Sequence, residues 1–172
     1  MRLAHVVTTR RGGTDRLLTR FAAECRRAGL RPAGLVQANT ARAGTHHCDM
    51  DVTVLPDGGT YRISQSLGRG ARGCRLDAAA LEQAVSEVRQ GLAAARPDIL
   101  VVNKFGRHEA AGGGFRDVIA GALMDDVPVL VGVGALNLAA FTAFTGGMAE
   151  RLPPERAALM SWLRGAAGAA VA

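Results

Sequence analysis

The chain has 172 residues, 48% of them hydrophobic, which is enough for one domain with a sizeable core and excludes a disordered chain. Formal net charge is +6 and Lys104 is the only lysine, so the excess is carried by arginine and favours anionic partners. The arginines are dispersed among acids and aromatics are only 4%, which argues against a nucleic-acid partner.

Residues 3–9, "LAHVVTT", form a short apolar run of buried-strand type. "RRGG" follows, then a helical segment over 14–29 in which Leu17, Leu18, Phe21, Ala22 and Cys25 recur on one face. Thr14 or Asp15 is the expected cap, and Gly29 the closing glycine. Residues 30–37 read as a second strand. Alternation through "CDMDVTVLPDGGTYRIS" predicts a β-hairpin inserted at about residues 45–66, with Met50, Val52 and Val54 on its dry face. Asp77 is placed to cap a helix over 78–95 with a Leu81, Val85, Val88, Leu92 stripe.

"DILVVN" (98–103) is continuously apolar, as in a strand buried on both faces. A loop over 104–114, a helix over 115–126, a strand over 127–133 and helices near 136–145 and 154–169 complete the chain. This order predicts one α/β domain over 1–172 with a mainly parallel sheet. The hairpin would leave a sheet edge, which makes a homo-oligomer an expectation. The apolar run in "MRLAHVVTTRRGG" is too short for a secretory leader, and "GALNLAAFTAFTGGMA" is too short and glycine-broken for a membrane span. A cytoplasmic protein with reduced Cys25, Cys48 and Cys74 and no membrane partner is therefore expected.

Two loops leave the carboxyl ends of predicted strands, where open α/β sheets hold ligands. The first, "TTRRGGTD", offers Gly12, Gly13 and Thr14 at a helix start, the layout that cradles phosphate. It lacks the lysine and hydroxyl ending, and a plain tight turn is the competing reading. The second, "NKFGRHEAAGGGFR", concentrates Asn103, Lys104, Arg107, His108, Glu109 and Arg116. Lys104 can supply charge to the first loop or be an exposed loop lysine. Asn103 can orient a ligand or cap local backbone. Glu109 or His108 can act as a base or be a solvated pair. Arg116 opposes its helix dipole, so a carboxylate such as Glu109 or a bound anion is its expected partner.

"GRGARGCR" brings Arg69, Arg72 and Arg75 together among glycines and is a third candidate for anion contact, Arg72 foremost. Cys48 and Cys74, with His46, His47, Asp49 and Asp51, are candidates for a metal or a redox pair, against ordinary packing of small thiols. The single-cysteine spacing matches no zinc module, so no metal site is assigned.

"CDMDVTVLPDG", "ISQSLGRGARGCRLD" and "VVNKFGRHEAAGGGFRDVI" with "GALMDDVPVLVGV" resemble the DUF2478 family of bacterial proteins, over most of residues 3–150. That family is similar in turn to P-loop nucleoside-triphosphatases of the THEP1 type. The resemblance implies a three-layer P-loop-NTPase-like fold, and a nucleotide with Mg²⁺ as the cofactor class. Gly106, Glu109 and the Phe115–Arg116 pair match the pattern of the second loop. Asn103 stands at the position of the metal-binding acid, and the phosphate-binding lysine and its hydroxyl partner are missing from 9–15. The reading is a nucleotide- or oxyanion-binding protein with little or no hydrolysis. An active triphosphatase with Glu109 and Lys104 as rearranged catalytic groups is the first alternative. A non-catalytic partner or chaperone in oxyanion metal (molybdenum) handling is the second.

Overall fold

A computed structural model describes residues 1–41, 48–65 and 75–169. Arg69, Arg72, Cys74, His46 and His47 lie outside the described residues.

Strand β1 (Leu3–Val6) leads through a turn into helix α1 (Gly13–Arg27). Then come β2 (Pro32–Ala41), β3 (Cys48–Leu55), β4 (Thr60–Arg62), α2 (Ala78–Ala94) and β5 (Ile99–Phe105). The chain continues with α3 (Arg107–Ala110), α4 (Arg116–Met124), β6 (Val129–Val133), α5 (Leu138–Thr145), β7 (Glu150–Arg151) and α6 (Arg156–Ala169). The seven strands make one sheet in the order β4-β3-β2-β5-β6-β1-β7. β2, β5, β6, β1 and β7 run parallel; β3 and β4 run antiparallel at one edge. The expected parallel sheet with an edge hairpin is therefore present.

Alternation along the strands sets the layers. Leu100 and Val102 of β5 face α2, α4 and α5, packing with Val85, Ile119 and Phe141. Ile99 and Val101 face α1 and α6, packing with Leu18, Phe21 and Leu159. All four of these β5 residues are fully buried, each contributing roughly 1.5–3 kcal/mol of transfer free energy. The result is three layers, helix, sheet, helix.

Two strands differ from expectation. β1 ends at Val6, leaving residues 7–12 as loop, and β2 runs on to Ala41. β2 is extended because β3 pairs along it from Gly34–Leu55 to Ala41–Cys48, satisfying backbone groups well past the helical layers. The hairpin turn is clamped to α2: Glu87 accepts the Tyr61 hydroxyl at 2.6 Å and the Gly59 N–H at 2.9 Å. Asp77 caps α2 as expected, accepting the Ala80 N–H at 3.0 Å. Gly29 closes α1 at φ +75°. α3 and β7 are too short to leave a periodic signal.

Candidate functional site

All five parallel strands point their carboxyl ends to one rim, so the 7–12 and 103–114 loops share it. The first loop is closed on itself. Gly12 takes a left-handed conformation at φ +65°, and the Gly13 N–H donates to Arg10 O at 2.9 Å. The Thr8 and Thr14 hydroxyls meet at 2.9 Å, and a Cβ on Gly13 would fall 2.8 Å from Thr8 Oγ1. The bend thus needs both glycines. Neither Thr14 nor Asp15 caps α1: Gly12 is the cap residue and no side chain bonds there. The first amides of the helix have no intrahelical acceptor, so they stay available to a ligand. Gly13 is the exception among the expected backbone donors, because its N–H is held by Arg10.

Asp15 is buried and accepts a short hydrogen bond from Asn39 Nδ2, at the end of β2. Asn39 is itself oriented by Gln37, whose Nε2 donates to Asn39 Oδ1 at 2.8 Å. These residues wall a cavity of about 620 Å³ together with Arg11, Gly12, Arg16, Cys48, Arg75 and Lys104. Four cationic side chains thus face one carboxylate, which leaves the space electropositive. The structure brings Lys104 to the first loop. Arg16, Gln37 and Asn39 escaped the sequence reading; two polar residues alternating at the end of a parallel strand were the signal for the latter pair.

Beneath Lys104, Asn103 is 1% exposed and neither its Oδ1 nor its Nδ2 has a hydrogen-bond partner. Its Oδ1 lies 3.5 Å from where a Cβ on Gly132 would stand, and that same point is 2.5 Å from Thr14 Cγ2. Gly132 lets Thr14 and Asn103 approach over β6. Asn103 is therefore not capping local backbone.

Glu109 is also buried, but its Oε2 accepts the Gly106 N–H at 2.8 Å, closing the turn of α3. A Cβ on Gly114 would fall 2.2 Å from Glu109 Oε1, so the glycines of this loop serve close approach. His108 points elsewhere, with Nε2 2.7 Å from Glu82 Oε1 on α2. Of the two partners expected for Arg116, the carboxylate is not the one found: its guanidinium sits over the Phe144 ring at 4.6 Å. It does not line the cationic cavity.

Asp49 and Asp51 also depart from the proposed metal cluster. Arg62 bridges them, at 3.0 Å to Asp49 Oδ2 and 2.9 Å to Asp51 Oδ1, and holds the Asp51 carboxyl below its ordinary range. Cys48 is a half-buried free thiol on the cavity wall. Among the described residues no group of three or more His, Cys, Asp or Glu could hold a metal ion. The donor set does not fit a hydrated Mg²⁺ either: Asn103 carries no charge, and the cavity's carboxylate, Asp15, is engaged by Asn39.

Among the described residues no helix is long and apolar enough to cross a membrane. The solution structure of a human cancer-related nucleoside triphosphatase superposes with a TM-score of 0.61, covering 88% of this chain and 87% of that one at 16% identity. The fold is thus that of P-loop nucleoside triphosphatases. The molybdenum import ATP-binding protein ModC 2 of Bradyrhizobium diazoefficiens is 38% identical over 163 residues, 95% of this chain but 18% of that protein. The chain thus spans under a fifth of that relative's length. The model of the DUF2478 family, described as proteins of unknown function, matches residues 3–162, and the chain belongs to that family.

Proposed function

We propose that this domain binds a small anion, a nucleotide phosphate or a tetrahedral oxyanion, in the cleft between the 7–12 and 103–106 turns, with little or no hydrolysis. The observation that carries it is the convergence of Arg11, Arg16, Arg75 and Lys104 on the uncapped N-terminus of α1 in one cavity. Gly12 and Thr14 shape the cradle, and Lys104 takes the part of the missing loop lysine. A neutral Asn103 at the acid position neither anchors Mg²⁺ nor accepts a proton from water. The name of the Bradyrhizobium relative supports molybdate as one member of the anion class.

Thermal shift with phosphate, sulfate, molybdate, ATP and ADP tests the reading. An anion at a hundredfold excess over its Kd should stabilise the fold by roughly 3 kcal/mol, and Lys104→Ala should abolish that shift. The gain should not require Mg²⁺. No shift with any of these anions would end the proposal. An active triphosphatase is the second reading, favoured by the fold. It predicts Mg²⁺-dependent phosphate release that is lost in both Lys104→Ala and Glu109→Ala.

A further inference from the structure

A second cavity of about 360 Å³ opens beside the cationic one, walled by β2, the hairpin, α2 and the 104–109 turn. The two share Gln37, Met50, Arg75 and Lys104, so they are neighbouring compartments of one cleft. Their chemistry differs. Buried Leu35, Ile63, Leu81 and Phe115, with half-buried Met50 and Leu76, give the second an apolar lining on the α2 side of the sheet.

The polar side chains around this compartment are engaged elsewhere. Gln37 Nε2 donates to Asn39 Oδ1 at 2.8 Å, Glu109 Oε2 accepts the Gly106 N–H at 2.8 Å, and His108 Nε2 meets Glu82 Oε1 at 2.7 Å. The Asn103 amide lies across the sheet on the α1 side, beside Gly132, Thr14 and Leu18. What the wall offers a ligand is therefore mainly hydrocarbon, together with the cations at its border. Arg75 is fixed there by two neutral acceptors, Gln65 O at 3.2 Å and Cys48 O at 3.3 Å, which position the guanidinium without cancelling its charge. Lys104 is exposed at the same border.

A bare oxyanion fills only the cationic compartment. A nucleobase in the apolar one would give up water along its polar edge and find little to replace it. We propose that the cleft takes an anion carrying a short hydrocarbon tail. The head lies in the cationic compartment, and the tail passes between Arg75 and Lys104 to rest against Leu35, Ile63, Leu76 and Leu81. Removal of the tail from water drives its entry, and the head fixes its direction. The volume is at the small end of ligand pockets, which suits a short tail and not a long acyl chain. This proposal rests on the anion reading above and narrows it to a ligand class.

Calorimetric titration of the full chain with two series tests it: inorganic phosphate with methyl, butyl and hexyl phosphate, and acetate with butyrate and hexanoate. In at least one series affinity should rise roughly threefold for each methylene added. Lys104→Ala should weaken every member of that series and leave the rise with tail length. Leu81→Phe and Leu76→Trp each add bulk to the apolar wall. Whichever of them keeps the parent's cooperative urea unfolding should flatten the rise. Affinity independent of tail length in both series overturns the proposal and leaves the anion reading standing. So does a rise that survives in the filled variants. Binding of no member overturns the proposal, and the anion reading falls with it when molybdate and ATP fail as well.

Discussion

His108 and Glu82 meet across the rim of the cleft, Nε2 to Oε1 at 2.7 Å, and join two elements 26 residues apart. The same Oε1 accepts the Gly114 N–H at 2.8 Å. One carboxylate on α2 therefore holds both ends of the turn that carries Glu109. The His108 hydrogen bond keeps the Glu82 carboxyl below its ordinary value of 4.5, against a smaller opposing push from burial.

A depressed carboxylate stabilises the fold above its unfolded-state value, and that contribution is lost as pH falls through the lower folded value. Protection of the Gly114 amide against hydrogen exchange should therefore drop on acidification below about pH 4.5. Glu82→Gln should remove this acid step and cost roughly 0.5–1 kcal/mol at neutral pH, as for a partly exposed pair. Amide exchange measured from pH 3 to 7, corrected for intrinsic rates, checks both.

Gly34 is the most constrained glycine in the sheet. It sits at φ +102° in β2, and a Cβ there would stand 2.0 Å from the Val101 carbonyl oxygen on β5. Backbone cannot yield as a side-chain tip does. Gly34→Ala should cost about 3 kcal/mol or more, measured by urea denaturation. Gly91→Ala, on the exposed face of α2 with open space around it, should be neutral or stabilising, by up to about 1 kcal/mol.

Asn103→Leu should raise the stability of the unliganded protein by about 1 kcal/mol, since an apolar group of similar size removes two buried polar atoms without partners. Urea denaturation of the variant beside the parent protein checks this. A loss of stability would mean the amide has a structural partner.

Cys25 is fully buried between α1 and α6, with Sγ 3.9 Å from Met160 Sδ. Burial, with a smaller contribution from Glu24, pushes its thiol up to about 12. Thiolate is the reactive form. Alkylation at pH 8 followed by peptide mass spectrometry should leave Cys25 unmodified in the native protein and label it fully in urea.

Secondary structure and fold class were legible in the order of residues, because both follow from local periodicity. "DILVVN" announced a doubly buried strand, and Leu81, Val85 and Val88 a helix face. Asp77 was recognisable as a cap because capping is settled within four residues. The first loop was legible in shape and misread in detail. Asp15 in a first helical turn resembles a cap, and only the position of β2 turns it to Asn39. Arg116 was expected to face a carboxylate or a bound anion because its charge opposes the helix dipole, whereas α5 lays Phe144 beneath it.

The sequence by itself determined that this is an arginine-rich α/β domain with two chemically loaded turns at strand ends, since composition and period are properties of the chain. Tertiary structure alone decided which charges share a space. Arg11, Arg75 and Lys104 are far apart along the chain; Arg11 and Lys104 become neighbours because parallel pairing of β5, β6 and β1 aligns their carboxyl ends, and Arg75 joins them by donating to Cys48 O at 3.3 Å on the antiparallel hairpin. Burial of Asn103 without a partner was likewise invisible beforehand. Whether an amide finds a hydrogen bond depends on atoms that β6 and α1 bring from other parts of the chain.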